Sequence, residues 1–200
     1  MQHLFKQGNE KKPVFLLLHG TGGDENSLLA LAEIVDPEAS VLSVRGNVLE
    51  NGMPRFFRRV ADGVFDMEDL AARTKELYEF LDDAATEYKF NRDNIIAIGY
   101  SNGANIAANL LYNYNDALTG AILHHPMVPN RDAQIPHQQT KVFIAAGSND
   151  PMCAPQEAMD LQAMLSKQGA AVTLEWEQNG HQLTMNEVQK AKIWYEQNFA

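Results

Sequence analysis

The stretch Ile96-Ala97-Ile98-Gly99-Tyr100-Ser101-Asn102-Gly103-Ala104-Asn105 combines an apolar run, a serine between two glycines, and a segment of small and apolar residues. This pattern predicts a strand that turns directly into a helix at Ser101. Such a turn strains the backbone of the serine, and a side chain at Gly99 or Gly103 would collide with the neighbouring strand or helix. We therefore expect an exposed hydroxyl at the carboxyl edge of a sheet, beside a helix N-terminus that favours negative charge.

Apolar runs and amphipathic segments alternate along the rest of the chain. The apolar runs predict strands at about 2–6, 14–18, 40–44, 120–125, 141–146 and 172–176. Helical spacing follows at about 28–34, 66–88, 155–165 and 185–199. Asp24, Asn26 and Ser27 are candidate N-caps of the first helix. The sequence contains neither repeats nor a linker, so we expect residues 1–200 to form a single α/β domain, with a mostly parallel, doubly wound sheet flanked by helices.

The composition limits the class of protein. Of 200 residues, 45% are hydrophobic and 21% charged, as in ordinary globular proteins, and the formal net charge is −10. This acidity disfavours nucleic acid and anionic membranes, which attract basic patches. The single cysteine excludes an internal disulfide, the first 14 residues lack the apolar core of a signal peptide, and the run 14–18 is too short to span a bilayer. We therefore expect a cytoplasmic protein without membrane insertion.

A serine at such a turn needs a base and an acid from loops that follow later strands, in the order Ser, Asp or Glu, His. Among six histidines, only His181 lies after residue 137, in a Gly-His turn directly after the last predicted strand. Asp150 is the only carboxylate in the loop after the preceding strand, whereas Glu157 and Asp160 belong to a helical pattern. We predict a catalytic triad of Ser101, Asp150 and His181, in preference to a surface histidine and an isolated turn aspartate.

Glycines also follow the first long strand, in the segment His19-Gly20-Thr21-Gly22-Gly23. They let backbone N–H groups point into a cavity, as in the loops that bind the oxyanion in acyl-transfer enzymes. We predict that the backbone N–H groups of Thr21 and Asn102 form an oxyanion hole in which their side chains matter little. An ordinary glycine-rich turn is the alternative for this segment. We expect His19 to be a hydrogen-bonded structural histidine.

The least regular segment, residues 45–65, carries four of the seven arginines. A loop of this length in a compact domain is usually functional. We consider Arg55, Phe56 and Phe57 as candidate substrate contacts, suited to an acyl or aromatic group near a negative charge. The alternative, favoured for most of the arginines, is that they pair with nearby acids while the phenylalanines fill the core. These acids are Asp62, Asp66, Glu68 and Asp69.

Two further groups could suggest different chemistry. His124 and His125 are adjacent, so on a strand their side chains would face opposite sides and could not share one metal ion. We therefore predict no metal site. Cys153 follows Asp150 by three residues but lies outside the serine turn. We interpret it as a partly buried thiol rather than a nucleophile.

The segments LLLHGTGGDENSLL, LSVRGNV, RFFRR, IGYSNGAN, GSNDPM and GHQL resemble the phospholipase/carboxylesterase family of α/β-hydrolases, especially its small bacterial carboxylesterases and their hydroquinone-responsive branch. The resemblance implies an α/β-hydrolase fold without a large lid domain and without a cofactor. It also implies hydrolysis of ester or thioester bonds in small-molecule substrates with short or medium acyl chains. Some relatives dimerise, so a homodimer is possible while the oligomeric state stays open. The family's triad falls on Ser101, Asp150 and His181, and its oxyanion amides fall on Thr21 and Asn102.

Taken together, the residues and the resemblance predict a serine carboxylesterase that forms an acyl-enzyme intermediate. A thioesterase, or a hydrolase of another activated acyl compound, is the nearest alternative. A non-catalytic ligand-binding protein on the same scaffold is a third interpretation, which the complete set of serine, aspartate and histidine disfavours.

Overall fold

A computed structural model describes residues 1–137 and 139–199. Its strands are β1 (His3–Lys6), β2 (Val14–Leu18), β3 (Ser40–Val44), β4 (Val48–Glu50), β5 (Met53–Arg55), β6 (Arg59–Ala61), β7 (Val64–Phe65), β8 (Ile95–Tyr100), β9 (Gly120–His124), β10 (Lys141–Gly147) and β11 (Ala171–Glu177). Its helices are α1 (Leu29–Val35), α2 (Met67–Tyr88), α3 (Asn102–Asn113), α4 (Pro155–Lys167) and α5 (Met185–Phe199).

Seven of these strands form one sheet in the order β1-β3-β2-β8-β9-β10-β11. Strand β1 is antiparallel to β3, and every other neighbouring pair is parallel. The expected mostly parallel α/β-hydrolase sheet is therefore confirmed. Because the strands run in parallel, the chain leaves β2, β8, β10 and β11 at the same edge of the sheet, and the segments that follow them can meet there.

Helices cover both faces of the sheet, so the central strands are apolar on both sides. All five residues of β2 are buried. Leu16 and Leu18 join the core beneath α2, α3 and α4, whereas Phe15 and Leu17 join the core beneath α1 and α5. This alternation explains why the strand reads as a continuous hydrophobic run rather than as an alternating one. Among the described residues, no helix combines the length and the apolar character needed to cross a bilayer.

Two local predictions were wrong. Helix α1 begins only at Leu29, and no side chain caps it. The Asp24 carboxylate instead accepts hydrogen bonds from the Asn26 N–H and the Ser27 hydroxyl, because these residues form a turn upstream of the helix. Residues 45–65 are not irregular either, since β4 pairs with β5 and β6 pairs with β7 in two short antiparallel hairpins. We refer to residues 48–65 as the hairpin segment.

Candidate active site

The serine turn between β8 and α3 has the predicted geometry, and we refer to residues 99–103 as the elbow. Ser101 has a φ angle of 51°, in the region that non-glycine residues rarely adopt. A Cβ atom on Gly99 would lie 2.7 Å from the carbonyl oxygen of Gly103. A Cβ atom on Gly103 would collide with the carbonyl oxygen of Leu18 on the neighbouring strand. Glycine is therefore required at both positions, because neighbouring backbone atoms lie too close for a side chain.

The structure brings the three side chains of the predicted triad into one hydrogen-bonded chain. The Ser101 Oγ lies 2.8 Å from His181 Nε2, and His181 Nδ1 lies 2.6 Å from Asp150 Oδ2. Ser101 and His181 are partly exposed, whereas Asp150 is buried. The other carboxylate oxygen of Asp150 accepts hydrogen bonds from the backbone N–H groups of Met152 and Cys153, at 2.8 and 3.0 Å. The aspartate is thus held at both oxygens.

These contacts keep Asp150 ionised. Burial alone would raise the pKa of its carboxyl, but the hydrogen bonds from His181, Cys153 and Met152 outweigh burial and hold the pKa below its usual range. An ionised Asp150 accepts a hydrogen bond from the Nδ1–H of His181, which keeps the proton on Nδ1 and leaves Nε2 free to accept one from the serine. The arrangement can therefore remove a proton from Ser101 and stabilise the imidazolium that results.

The turn that carries His181 is tied to the elbow by a residue that the sequence analysis missed. The Tyr100 hydroxyl donates a hydrogen bond to the backbone carbonyl of His181 at 2.6 Å. On the other side of the turn, the Gly180 N–H donates to the Asn149 side chain at 2.9 Å. The position of Tyr100, immediately before the serine, is a signal that could have drawn attention to it. The base and the nucleophile are thereby held by the same strand end.

The two predicted oxyanion donors lie on either side of Ser101. Asn102 is the first residue of α3, so its N–H has no acceptor within the helix. Thr21 follows β2, and both residues line the same cavity as Ser101. Contrary to expectation, their side chains are engaged as well. Thr21 Oγ1 accepts a hydrogen bond from Arg55 Nη1 at 2.8 Å, and Asn102 Oδ1 accepts one from the Phe56 N–H at 2.7 Å.

His19 behaves as the structural histidine that the sequence indicated. Its Nδ1 lies 2.6 Å from the carbonyl oxygen of Gly20, and the Gly46 N–H donates to its Nε2 at 3.1 Å. A carbonyl can only accept, so Nδ1 carries the proton and the ring is neutral. Burial lowers the pKa of this ring and acts in the same direction. The histidine joins the Thr21 loop to the residues that precede the hairpin segment.

A cavity of about 410 Å³ opens at Ser101 and His181. This volume lies within the range of small-molecule sites. Its wall combines apolar, cationic and thiol side chains, namely Arg55, Arg59, Phe65, Met127, Met152 and Cys153.

Of the three candidate substrate contacts, only Arg55 lines this cavity. Phe56 and Phe57 are 1% and 0% exposed and belong to the core. Their rings pack against His19 and Phe65, at centroid distances of 4.8 and 5.1 Å. Substrate contact by Phe56 and Phe57 is therefore not supported, because the fold of the hairpins turns both rings inward.

The arginines of this region pair with acids, as the alternative interpretation held. Arg58 lies 3.1 Å from Asp66, and Arg59 lies 2.6 Å from Asp62. Glu50, which the sequence analysis did not consider, lies 2.8 Å from Arg59 and 3.1 Å from Arg55. The arginines on the cavity wall are thus partly neutralised by acids of the hairpin segment.

The two adjacent histidines do not face opposite sides, and that expectation was wrong. His125 lies beyond the end of β9 and has a φ angle of 52°, which turns its ring away from the strand pattern. Its Nε2 and the Nδ1 of His124 lie 3.2 and 3.7 Å from the carboxylate of Glu187. Potential ligand atoms of His125, Asp150 and His181 lie within 4.8 Å of one another. The Nδ1 atoms of both histidines instead contact Asp150 Oδ2 directly, at 2.6 Å for His181 and 3.2 Å for His125.

Cys153 lines the cavity but is not activated. Burial raises the pKa of its thiol to about 12, and the neighbouring carboxylates of Asp150 and Glu157 add to this effect. Its Sγ lies 3.7 Å from the carbonyl oxygen of His125. A thiol that stays protonated is a poor nucleophile, in agreement with its interpretation as a partly buried side chain.

A mostly parallel sheet with a strained serine at the end of a central strand, and an aspartate and a histidine from later loops, defines the α/β-hydrolase class. A family model described as phospholipase/carboxylesterase matches residues 2–198. The chain belongs to that family.

Individual relatives agree with this assignment. The Bacillus subtilis protein MhqD is 52% identical over 198 residues, which cover 98% of each chain. The crystal structure of a Bacillus cereus carboxylesterase is 65% identical, with a TM-score of 0.99 over 100% of this chain and 95% of that chain. A carboxylesterase from Mesorhizobium loti is 27% identical, with a TM-score of 0.89 over 94% of this chain and 90% of that chain.

Proposed function

We propose that the protein is a serine carboxylesterase that hydrolyses short or medium acyl esters of small molecules. The observation that carries this proposal is the hydrogen-bonded chain from Ser101 through His181 to Asp150, which ends in a cavity of small-molecule size. Membership of the phospholipase/carboxylesterase family, and the high identity to a carboxylesterase of known structure, support the same reaction class.

In the proposed reaction, His181 Nε2 accepts the hydroxyl proton as Ser101 Oγ attacks the ester carbonyl carbon. The backbone N–H groups of Thr21 and Asn102 bind the oxyanion that develops. His181 then returns the proton to the leaving alcohol, and the acyl group remains on Ser101. A water molecule, deprotonated by His181, attacks the acyl-enzyme, and the acid leaves with regeneration of the serine.

The cavity wall supports the proposed substrate size. A volume of about 410 Å³ accommodates an ester with a short or medium acyl chain. Phe65, Met127 and Met152 provide apolar surface for an acyl group, while Arg55 and Arg59 lie on the same wall.

The proposal is tested by labelling the protein with a fluorophosphonate and by measuring hydrolysis of p-nitrophenyl acetate and butyrate. We expect Ser101 to be labelled, and Ser101→Ala to lose both labelling and about 10,000-fold or more in kcat/KM. The melting temperature of the variant provides the control for folding. Absence of labelling, with hydrolysis no faster than that of Ser101→Ala, would favour a non-catalytic ligand-binding protein.

Kinetic measurements on matched substrates distinguish an esterase from a thioesterase. An oxygen ester and a thioester of the same acyl chain share the group that occupies the cavity and differ only in the leaving group. We expect the oxygen ester to have the higher kcat/KM relative to its uncatalysed hydrolysis. The reverse order would assign the protein as a thioesterase that uses the same Ser101 chemistry.

A further inference from the structure

A buried acidic and imidazole cluster lies directly behind the proposed triad. His125, which follows β9, and Glu187 on α5 are 1% and 0% exposed. His125 Nδ1 lies 3.2 Å from Asp150 Oδ2, and His125 Nε2 lies 3.2 Å from Glu187 Oε2. Asp150 Oδ2 therefore faces two imidazoles, that of His181 and that of His125. The proposed mechanism gives no role to this second histidine.

Both ring nitrogens of His125 face a carboxylate oxygen, at 3.2 Å in each case. With one proton on the ring, donated from Nδ1 to Asp150, the Nε2 lone pair of His125 would face a carboxylate oxygen at 3.2 Å. In the described part of the chain, Nε2 of His125 and Oε2 of Glu187 are both buried without a hydrogen-bond partner, and each is the charged or polar atom that the other faces. Two buried acceptors at this distance repel each other, so one of the two groups must carry the additional proton.

Glu187 is held as an acceptor. Its Oε1 accepts a hydrogen bond from the Thr184 N–H at 2.9 Å, and the Glu187 N–H lies 3.3 Å from Thr184 Oγ1. This reciprocal capping arrangement fixes the carboxylate at the start of α5. The neighbouring His124 does not compensate the charge, because burial lowers its pKa to about 4 and keeps it neutral. His125 is the group close to Glu187 whose two ring nitrogens both face carboxylates, and it is therefore our candidate for the additional proton.

Every charged or titratable group around His125 favours the imidazolium or is neutral. Burial opposes the charge, but the carboxylates of Glu187 and Asp150 outweigh it and raise the pKa of His125 above its usual 6.5. Burial also raises the pKa of the Tyr100 phenol and the Cys153 thiol, which therefore stay uncharged. Three further titratable groups lie near His125. The ring centroid of His181 is 5.1 Å from that of His125, and the other two groups are His124 and Glu177. The carboxylate of Glu177 pairs with Lys190 at 3.0 Å.

The backbone of His125 supports a specific role. Its φ angle of 52° is one that histidines adopt at a cost, and such strain persists where the surrounding structure requires one orientation. The His125 N–H donates to the Ala145 carbonyl at 2.7 Å, which fixes the residue against β10. The ring is thereby placed between the loop that carries Asp150 and the helix that carries Glu187.

We propose that His125 is a positioning residue that stays protonated, is held by Glu187, and places a fixed positive charge behind Asp150. This inference rests on the proposed function. The charge shares Asp150 Oδ2 with His181 and limits how strongly the aspartate stabilises a proton on the catalytic imidazole. We consequently expect the acid limb of the pH profile of kcat/KM to lie at a lower pH than in a site with Asp150 alone.

The state of His125 is tested first, by NMR titration of 15N-labelled histidine side chains, which requires no turnover. We expect the His125 ring of the wild type to be protonated at pH 7, above its usual pKa of 6.5. In Glu187→Gln the ring should lose its proton at a lower pH, because one of its two carboxylate neighbours is gone. A His125 ring that is neutral at pH 7 in the wild type would overturn the proposal, whether or not the protein is an esterase.

The effect on His181 is tested by the pH profile of kcat/KM for p-nitrophenyl acetate. Removal of the charge in His125→Gln should move the acid limb to higher pH by about one unit. His125→Gln/Glu187→Gln should move it in the same direction, and its two amides can hydrogen-bond each other if the single variant does not fold. His124→Gln is the matched control, since His124 is equally buried but neutral, and its profile should be unchanged. An unchanged acid limb in both variants of His125 would overturn the proposal.

Discussion

The two walls of the cavity are built by different physical means. On one wall, the elbow holds Ser101 because backbone atoms of Leu18, Gly103 and Ala104 leave no space for side chains at its glycines. On the other wall, the hairpin segment is held by ion pairs and hydrogen bonds, including those of Glu50 with two arginines. The Gly22 N–H also donates to the Pro54 carbonyl at 2.9 Å, which joins the hairpins to the loop after β2.

The two walls therefore have different roles: one carries the reacting groups, and the other holds the proposed oxyanion residues in place. The elbow wall presents the nucleophile, and its neighbours present the base and the acid. The hairpin segment reaches the side chains of the two proposed oxyanion residues, through Arg55 and Phe56, without presenting a reacting group. Changes to the triad should therefore remove the reaction, whereas changes to the hairpin contacts should weaken it or destabilise the fold.

The largest effect is expected for Asp150→Asn. An asparagine of nearly the same shape can present an N–H to His181 Nδ1, which reverses the tautomer and leaves Nε2 protonated and unable to accept the serine proton. We expect kcat for p-nitrophenyl acetate to fall about 10,000-fold. The melting temperature, measured in parallel, separates lost chemistry from lost folding. A loss of less than tenfold in a folded variant would contradict the assigned role of Asp150.

A smaller effect, on stability, is expected where the hairpin segment enters the core. Phe56→Ala should lower the free energy of unfolding by about 3–5 kcal/mol, because it leaves a cavity beside His19. The ratio of rates on p-nitrophenyl butyrate and acetate should stay the same, since Phe56 does not line the cavity. Phe65→Ala is the matched comparison and should change that ratio, because Phe65 does line it. A changed ratio in Phe56→Ala would restore this residue as a substrate contact.

The smallest effect is expected at the contact between the hairpin segment and the proposed oxyanion loop. Thr21→Val removes the hydroxyl that accepts from Arg55 Nη1 but keeps the backbone N–H and the shape of the side chain. We expect kcat to fall about tenfold, with KM little changed, because a slightly misplaced N–H binds the oxyanion less well. Thr21→Ser keeps the hydroxyl and should retain most of the wild-type rate. Equal rates for the two variants would show that the Arg55 contact does not align the loop.

The same division explains what could be predicted from the sequence. The sheet could be predicted because buried parallel strands appear in the sequence as continuous apolar runs, as in Val14–Leu18. The triad residues could be predicted because chain order and loop position leave few choices for an acid and a base after Ser101. Their approach within hydrogen-bond distance follows from parallel strands that end at one edge of the sheet.

The remaining features depend on contacts between distant parts of the chain. Glu50 meets Arg55 and Arg59 only because a hairpin reverses the chain between them, and no local pattern indicates that pairing. The sequence analysis assigned His125 to a strand because it follows an apolar run. The strand ends at His124, and the φ angle of His125 takes its side chain out of the alternating pattern of the strand. The approach of Glu187 from α5 depends on how that helix packs against the sheet, which local periodicity does not specify.

The backbone strain at residue 101 sets activity and stability against each other. A glycine would adopt a φ angle of 51° without the cost of about 1–3 kcal/mol that a side chain incurs there. Selection for stability alone would consequently favour glycine over the nucleophilic serine at position 101. The protein therefore operates below the stability its scaffold could reach, and part of the deficit lies at the position where the proposed covalent bond to substrate forms.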